Sequence, residues 1–424
     1  MEDKDKIEIV PKTQEKATST VLNEALKAAE AEKKAPKKAS KTSLVLSILG
    51  GIFAAFGATL FVLPFVLPKE ARPELSFPII PSKTTESKIY SNLTGEELAS
   101  ETEQVAPAYC VQIPNGMDGA RPQAGLDEAG VIFEAIAEAG ITRFAAIFQD
   151  PGTAVIGPIR SLRLYYLQWD TPFDCTIVHA GGADDALAAV KNGGYKDLSE
   201  SLTYMYRGSP TVRRWNNLFT TGAQLNQFAT DYGYTTSSVN GFARMTPEES
   251  KKARFDETVS EKLVIYKPAV SNTSEVKPQA SSIVIRFGAL PTYNVVYTYN
   301  KETNKYTRTY ENNNINEILT CPDGDNGKVD PEKVCQKVSS LTPDVVVAIV
   351  VEERKASDNY HEDITAVGSG QAYIFQNGTV IKGGWSKPTV TDQIKFNDAN
   401  GREVKLAPGQ TIIEAVPTYG AIEY

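Results

Sequence analysis

The sequence predicts an α+β protein, in which an N-terminal α/β-type ectodomain and a β-rich C-terminal domain follow one transmembrane helix. Three observations predict this class. A long uncharged apolar segment lies near the N-terminus, strand and helix patterns alternate over residues 108–245, and short strands with turn signals follow residue 280. The length of 424 residues allows two or three domains of this kind.

The apolar segment is residues 44–68, LVLSILGGIFAAFGATLFVLPFVLP, which carries no charge. About 20 such residues span a bilayer as a helix. Lysine is denser before the segment than after it, which places residues 1–43 in the cytoplasm as a disordered tail and the C-terminal bulk outside. The alternative is a cleaved signal peptide, whose apolar region is usually shorter. We expect a single-pass signal anchor in the cell membrane, with the lipid bilayer as a partner.

Composition separates the rest of the chain into regions. Residues 69–107 hold four prolines with several Ser and Thr, which is typical of an extracytoplasmic stalk. Residues 246–279 are rich in Lys, Ser and Thr and are predicted to link the two domains, 108–245 and 280–424. The net charge of −8 argues against nucleic-acid binding, which requires the neutralisation of phosphates.

The N-terminal domain shows a hairpin, a helix and a short strand in succession. VIFEAIAEAGITRFAAIFQ predicts two strands joined around residues 137–140. SLRLYYLQW has apolar residues at helical spacing, with Ser161 as the expected N-cap. CTIVHA is a short apolar strand, and DDALAAVK and GAQLNQFATDYGY are helices.

The C-terminal domain is predicted to be built of short strands, among them SSIVIRF, YNVVYTYN and VVVAIVVEE. Asn377–Gly378 and Asn400–Gly401 are hairpin-turn signals.

The cysteines are those of an exported protein. Cys321 and Cys335 bracket a short polar loop, and a disulfide there contributes about 3 kcal/mol in the chain-entropy treatment. Cys110 and Cys175 each lie in an apolar strand-like run, and either pair across strands or remain two buried thiols. No cysteine pair has the close spacing of a metal site.

Arginines collect around the predicted helix start. With a turn at Glu138–Ala139, Glu134 faces Arg143 across the hairpin. Arg160 then lies just outside the helix and Arg163 in its first turn, where a cation opposes the helix dipole. One interpretation is an anion pocket formed with the Ser161 end of the helix. The alternative is internal pairing of the arginines with Glu134, Asp170 or Asp174.

Two further features are candidate functional residues. His179 ends the strand CTIVHA, at the edge of a sheet where sites collect, and is the candidate general base. The alternative is a hydrogen-bonded structural histidine. The loop RGSPTVRRWNNLFTT carries Trp215 and Asn217 and is either a ligand loop or a segment anchored to the core.

ARPQAGLDEAGVIFEAIAEAGITRFAAIF, IGPIRSLRLYY, TIVHAGGADDALAAVK and NNLFTT together resemble the N-terminal domain of the YerB-like bacterial envelope lipoproteins, a two-domain family of unassigned biochemical function. GQAYIFQNGTVIKGGWSKP and FNDANGREVKLAPGQTIIEAVP are similar to its C-terminal domain. The resemblance covers roughly residues 90–424. It implies that the characteristic motifs hold Arg121, Glu134, Arg143, Arg160, Ser161 and His179.

The sequence departs from this family at two places. A membrane helix stands where the family has a lipidated cysteine, and Asn216–Asn217 stands where a His-Asn pair is expected. The missing histidine favours a non-catalytic scaffold that binds an anionic cell-wall polymer or an envelope protein. The alternative is a hydrolase or transferase for a wall polymer, with His179 as base and Glu134 as acid or orienting group. No motif for a cofactor or a metal is present, so we expect neither.

Overall fold

A computed structural model describes residues 88–152, 154–208, 214–255, 277–278, 282–288, 290–312, 318–320, 336–338 and 340–424. The chain divides into two compact units, residues 1–85 and 86–424, and every described residue belongs to the second. The predicted tail, the predicted membrane segment 44–68 and the Cys321–Cys335 pair lie outside the described residues. Among the helices that are described, none is long and apolar enough to cross a membrane.

Strands predominate over helices among the described residues. The strands are β1 Ile89–Tyr90, β2 Glu97–Leu98, β3 Ala108–Pro114, β4 Gln123–Ala124, β5 Val131–Glu138, β6 Ile141–Gln149, β7 Val155–Ile156, β8 Thr176–Val178, β9 Asp197–Leu198, β10 Tyr206–Arg207, β11 Leu218–Thr221, β12 Lys277–Pro278, β13 Ser282–Arg286, β14 Val295–Asn300, β15 Lys305–Tyr310, β16 Ile318–Thr320, β17 Gln336–Val338, β18 Val345–Val351, β19 Glu353–Lys355, β20 Glu362–Ile364, β21 Gly368–Gln376, β22 Thr379–Lys387, β23 Lys395–Asp398, β24 Thr411–Pro417 and β25 Ala421–Glu423. The α-helices are α1 Glu101–Gln104, α2 Leu164–Asp170, α3 Asp184–Gly193, α4 Gly222–Tyr232 and α5 Pro247–Ala253.

One mixed sheet of 11 strands runs through both halves of the chain, in the order β12-β22-β21-β18-β24-β5-β6-β3-β8-β9, with β23 on β22. The halves join where β24 pairs in parallel with β5, so that Glu414 lies beside Glu134. A four-stranded sheet, β15-β14-β13-β25, is formed separately.

This sheet is buried on both faces, because successive side chains of its central strands point alternately into two apolar clusters. Val131, Phe133 and Ala135 of β5 pack in one apolar cluster, which includes Tyr166 and Trp169 of α2. Ile132 and Ile136 point the other way, into a cluster that includes side chains of β13, β14 and α4. The continuous apolar run of β18 is the pattern of a strand covered on both sides.

Several predicted elements are confirmed. The β5–β6 hairpin, the strand β8 and the helices α3 and α4 form where the pattern places them. Asn377–Gly378, with φ values of 54° and 72°, joins β21 to β22 as a tight turn. The chain also folds back at Asn400–Gly401, where the Asp398 amide donates to Arg402 O at 2.8 Å.

Helix α2 begins later than predicted. It starts at Leu164 with Arg163, not Ser161, at the N-cap position. The backbone before the helix is hydrogen-bonded to other segments. The Arg160 amide donates to Gln112 O at 2.8 Å, and the Leu162 amide donates to Gly181 O at 2.9 Å. These residues therefore stay extended, and the expected Ser161 cap is wrong.

Part of the expected stalk is folded. Within residues 88–107 the chain forms β1, β2 and α1, and Leu93 is buried. The Arg244 guanidinium donates to Leu93 O at 2.7 Å, which holds this segment against the body. The region 246–279 also contributes structure, because α5 and β12 lie in it.

Cys110 and Cys175 form a disulfide, with their Cα atoms 5.7 Å apart. Of the two alternatives for this pair, cross-strand pairing is confirmed. It connects β3 to the residue that precedes β8, two neighbouring parallel strands.

Candidate functional site

The register of the β5–β6 hairpin determines which way its charged side chains point. The turn is at Ala139–Gly140, with φ values of 48° and 77°, the positive values that a two-residue hairpin turn requires. Arg143 is therefore opposite Ala135, and Glu134 is opposite Phe144. Because neighbouring residues on a strand face opposite sides, the predicted Glu134–Arg143 pair is wrong.

A bulge gives Arg143 a different partner. One extra residue, Ala137, lies between the paired residues Ile136 and Glu138, and it reverses the alternation at the end of β5. Glu138 thereby reaches the face of Arg143, whose Nη2 donates to Glu138 Oε1 at 2.7 Å. Arg163 Nη2 donates to Glu138 Oε2 at 2.6 Å from the other side.

Glu138 is thus a buried carboxylate held between two buried guanidiniums. Burial opposes its charge, but Arg143 and Arg163 hold its pKa below the usual range. Arg143 Nη1 also donates to Ser161 O at 2.6 Å, while Ser161 Oγ donates to Ala180 O at 3.2 Å. Two of the predicted anion-binding arginines are therefore paired within the protein, although not with the carboxylates that the sequence suggested.

Arg160 has different surroundings. It is half-buried, and no described residue accepts a hydrogen bond from its guanidinium or forms an ion pair with it. Its Nε is buried without a partner. It lines a cleft of about 440 Å³, together with Asn115, Asp118, Glu138, Ala139, Thr142, Arg143, Trp215, Asn216 and Tyr360 among others. This volume lies in the usual range of small-molecule sites, about 300–1,000 Å³.

Asp118 is the second carboxylate of this cleft. Asn216 Nδ2 donates to Asp118 Oδ1 at 3.0 Å, and Trp215 Nε1 donates to Asp118 Oδ2 at 3.0 Å. Burial opposes the charge on Asp118, but these hydrogen bonds and the charge of Arg160 lower its pKa. Arg143 and Arg160 thus line the cleft beside Glu138 and Asp118, and Arg143 is ion-paired with Glu138 whereas Arg160 forms no ion pair with a described residue.

The sequence singled out Asn217 in the loop RGSPTVRRWNNLFTT, but the residues of this loop that line the cleft are its two neighbours. Trp215 and Asn216 line the cleft, whereas Asn217 is buried with its Oδ1 3.4 Å from Arg207 Nη1. The sequence signal for a ligand loop was the succession of one aromatic and two amide side chains, Trp215, Asn216 and Asn217.

His179 is not part of this cleft. Its side chain is buried, with Nδ1 2.7 Å from Gly181 O and Nε2 2.9 Å from Asp197 Oδ1. Both ring nitrogens are therefore used to connect β8, β9 and the turn after β8. The structural alternative for His179 is confirmed.

Glu134 lies on the opposite face of the sheet, in a fully buried charged cluster. Its Oε2 accepts from Arg308 Nη2 at 2.5 Å, and its Oε1 accepts from Thr142 at 2.6 Å and Asn115 at 3.1 Å. Tyr297 donates to Glu414, whose Oε1 is 3.9 Å from Arg308 Nε. Sequence reasoning missed Arg308 and Glu414, although a glutamate inside the apolar run TIIEAVP was a signal for a buried charge.

Arg121 packs against the same cluster. Its guanidinium lies 3.8 Å from the centre of the Tyr310 ring, and its Nε donates to Asn115 Oδ1 at 2.8 Å. This is a cation–π contact with a buried aromatic. Because Asn115 and Thr142 also line the cleft, the cluster supports the cleft from behind.

A second cavity, of about 740 Å³, lies on the Arg163 side of Glu138. Its cations are compensated: Arg354 pairs with Asp363 at 2.6 Å, Lys355 pairs with Glu362, and Arg163 pairs with Glu138. In the part of the chain that the structure describes, no group of three His, Cys, Asp or Glu side chains is arranged to hold a metal ion. The Arg160 cleft is therefore the stronger candidate for a ligand site.

Comparison with known proteins agrees with the resemblance of the motifs. Residues 93–235 match the N-terminal domain, and residues 283–413 the C-terminal domain, of a family described as "Protein of unknown function (DUF3048)". The chain is 26% identical over 343 residues to "Putative lipoprotein YerB" of Bacillus subtilis (strain 168), covering 80% of this chain and 89% of the relative. The crystal structure of the YerB protein from Bacillus subtilis superposes with a TM-score of 0.61 at 21% identity, over 80% of this chain and 100% of that one, which shows a shared fold. The chain therefore belongs to the YerB-like family, with a DUF3048 N-terminal and C-terminal domain in its two halves.

Proposed function

We propose that this protein is a membrane-anchored, extracytoplasmic binding protein of a bacterial envelope, and that its Arg160 cleft binds an anionic group of a cell-wall component. The observation that carries the proposal is the difference among the three arginines. Arg143 and Arg163 share Glu138, whereas Arg160 lines the cleft and forms no hydrogen bond or ion pair with a described carboxylate, although its charge lowers the pKa of Asp118. A guanidinium in this position offers a planar fork of donors that matches a carboxylate or a phosphate.

The location is supported by two separate features. Residues 44–68 have the length and composition of a membrane span, with lysines concentrated before them. The Bacillus subtilis relative is named as a lipoprotein, and a lipid anchor also holds a protein at a membrane. The Cys110–Cys175 disulfide is consistent with an oxidising compartment.

Binding is favoured over catalysis by the positions of His179 and Glu134. The proposed base, His179, uses both ring nitrogens inside the fold and does not reach the cleft. Glu134 is fully buried and paired with Arg308 on the other face of the sheet. Neither residue of the hydrolase or transferase hypothesis is therefore within reach of a ligand held at Arg160.

The test is anion binding by the full-length protein, purified in mild detergent, measured by calorimetric titration with inorganic phosphate and with acetate. Arg160→Gln removes the charge that faces the cleft. The matched control is Arg402→Gln, because the Arg402 side chain is 73% exposed and pairs with Asp398 outside the cleft. We expect Arg160→Gln to weaken binding at least about tenfold, since hydrogen bonds to charged groups contribute about 1.5–3 kcal/mol.

The control variant should bind both anions as the parent protein does. Equal affinities in the parent protein and Arg160→Gln, or no measurable binding of either anion, would contradict the proposal.

A further inference from the structure

Two aromatic side chains lie exposed at the Arg160 cleft. Trp215 is 47% exposed and Tyr360 is 61% exposed, and both line the cleft. They come from distant parts of the chain, a short 3₁₀ turn at Arg214–Asn216 and the segment between β19 and β20. Large aromatic side chains usually bury most of their surface, so a pair exposed at one cleft is a feature typical of a binding site.

The indole of Trp215 is held in place by its polar edge. Its Nε1 donates to Asp118 Oδ2 at 3.0 Å, and the adjacent Asn216 is anchored to the same carboxylate. Because the indole N–H is its one donor, the exposed part of the ring offers a ligand carbon surface. Tyr360 is braced in turn by the His361 ring, at 4.9 Å between ring centres.

The carboxylates of the cleft argue against a bare anion as the whole ligand. Asp118 and Glu138 both line the cleft, and both have lowered pKa values, so their charge makes a small anion at Arg160 bind less tightly than the guanidinium alone would allow. A carboxylate has about four lone-pair sites, and the two ion pairs of Glu138 engage one site on each of its oxygens. Such groups suit a ligand that carries hydroxyl donors beside its anionic group.

A sugar acid combines these properties. Its ring has a C–H face that packs on aromatic carbon, its hydroxyls donate to carboxylates, and its own carboxylate matches one guanidinium. We propose that the cleft binds an acidic saccharide, with the sugar ring against Trp215 and Tyr360 and the sugar carboxylate on Arg160. This inference rests on the proposed function, because it identifies the chemical class of the anionic ligand.

The experiment compares three probes on the full-length protein in mild detergent. They are a hyaluronan tetrasaccharide, which alternates glucuronic acid with N-acetylglucosamine, the neutral chitotetraose and acetate. Tryptophan emission follows binding, because the chain has three tryptophans and the other two, Trp169 and Trp385, are buried. We expect the acidic tetrasaccharide to bind at least about tenfold more tightly than either other probe and to shift the emission of Trp215.

Two variants separate stacking from charge. Tyr360→Ala and Trp215→Leu should each weaken tetrasaccharide binding about tenfold, by calorimetry, and weaken acetate binding much less. Arg160→Gln should weaken both. Because Tyr360 is itself 61% exposed, Tyr360→Ala keeps the test valid even if Trp215→Leu lowers the yield of folded protein.

The outcomes distinguish the two proposals. If acetate and tetrasaccharide bind equally, and the aromatic variants change nothing, the anion site stands and the saccharide is wrong. If the dipeptide D-alanyl-D-alanine, titrated as a fourth probe, binds more tightly than the tetrasaccharide, the ligand is a peptide terminus and the saccharide proposal is again wrong. If no probe binds, both the site and its ligand class are wrong.

Discussion

At the scale of single residues, three arginines within 21 positions of the chain have two different roles. Arg143 and Arg163 are buried and paired with Glu138, which makes them part of the scaffold. Arg160 lies between them in sequence and faces the cleft. What separates the roles is not the residue type but whether a carboxylate reaches the guanidinium.

The charged cluster behind the cleft contains two carboxyl groups and one guanidinium, all fully buried. Burial, reinforced by the neighbouring Glu134, raises the pKa of Glu414 well above its usual range. We therefore expect Glu414 to be a neutral acid in the folded protein, beside the Glu134–Arg308 ion pair. A protonated carboxyl can also donate a hydrogen bond, unlike a carboxylate.

This assignment predicts opposite effects for two similar substitutions. Above about pH 4.3 an unfolded glutamate ionises while the folded Glu414 keeps its proton, so the free energy of unfolding falls by up to about 1.4 kcal/mol per pH unit. Glu414→Gln removes that loss and is expected to be more stable than the parent protein at pH 8. Glu134→Gln leaves Arg308 without its ion-pair partner and should cost about 3–5 kcal/mol.

Urea denaturation between pH 5 and pH 8 measures both effects, each variant being the control for the other. The stability difference between Glu414→Gln and the parent protein should grow as pH rises. A Glu414→Gln variant that is destabilised as strongly as Glu134→Gln would show that Glu414 is ionised in the fold.

At the scale of elements, the bulge in β5 is the feature that builds the site. The bulge turns Glu138 to the face of Arg143, where Glu138 also pairs with Arg163, the N-cap residue of α2. The backbone of Glu138 pairs with His361, the residue before β20, so that three parts of the chain meet at this residue. The cleft opens beside this junction. Without the bulge, two buried guanidiniums would lack a carboxylate.

Glu138→Gln tests the junction. The lowered pKa of Glu138 means that its charge stabilises the fold above about pH 4.3 and that this contribution is lost as pH falls through the folded pKa. We expect Glu138→Gln to cost about 3–5 kcal/mol at pH 7, because it leaves two buried cations, and to cost less below pH 4.

The matched control is Glu97→Gln, because Glu97 pairs with Lys88 where both side chains are about half exposed. Exposed pairs contribute about 0–1 kcal/mol, so this variant should unfold much as the parent protein does. If Glu138→Gln lowers the free energy of unfolding no more than Glu97→Gln does, by urea denaturation at pH 7, then Glu138 does not hold this junction together.

At the scale of the whole molecule, the two halves of the family fold share one sheet and one charged cluster. Glu134 belongs to β5, Arg308 to β15 and Glu414 to β24, so the cluster unites strands from the N-terminal and C-terminal matches. The parallel pairing of β24 with β5 places the two carboxyl groups side by side. The halves therefore belong to one compact unit, residues 86–424.

Local patterns predicted much of this fold. The apolar run VVVAIVV forms β18, Asn377–Gly378 forms a hairpin turn, and two aspartates begin α3. These predictions succeed because short-range propensity and tertiary packing favour the same structure at each place. The two-domain family was also readable from its motifs.

Long-range features were not readable from the sequence. The register of the β5–β6 hairpin depends on a one-residue bulge, and a slip of one residue changes every partner. Arg308 is 174 positions from Glu134, and their pairing depends on two sheets packing together. The special role of Arg160 follows from where Glu138 points, which no local pattern shows.

The most direct test of the central claim is a crystal structure of the full-length protein grown with phosphate, examined at the Arg160 cleft. We expect phosphate density within hydrogen-bonding distance of the Arg160 guanidinium, with Arg143 and Arg163 still bonded to Glu138. Arg160 bonded to a carboxylate of its own chain, with no anion beside it, would contradict the account and make all three arginines structural.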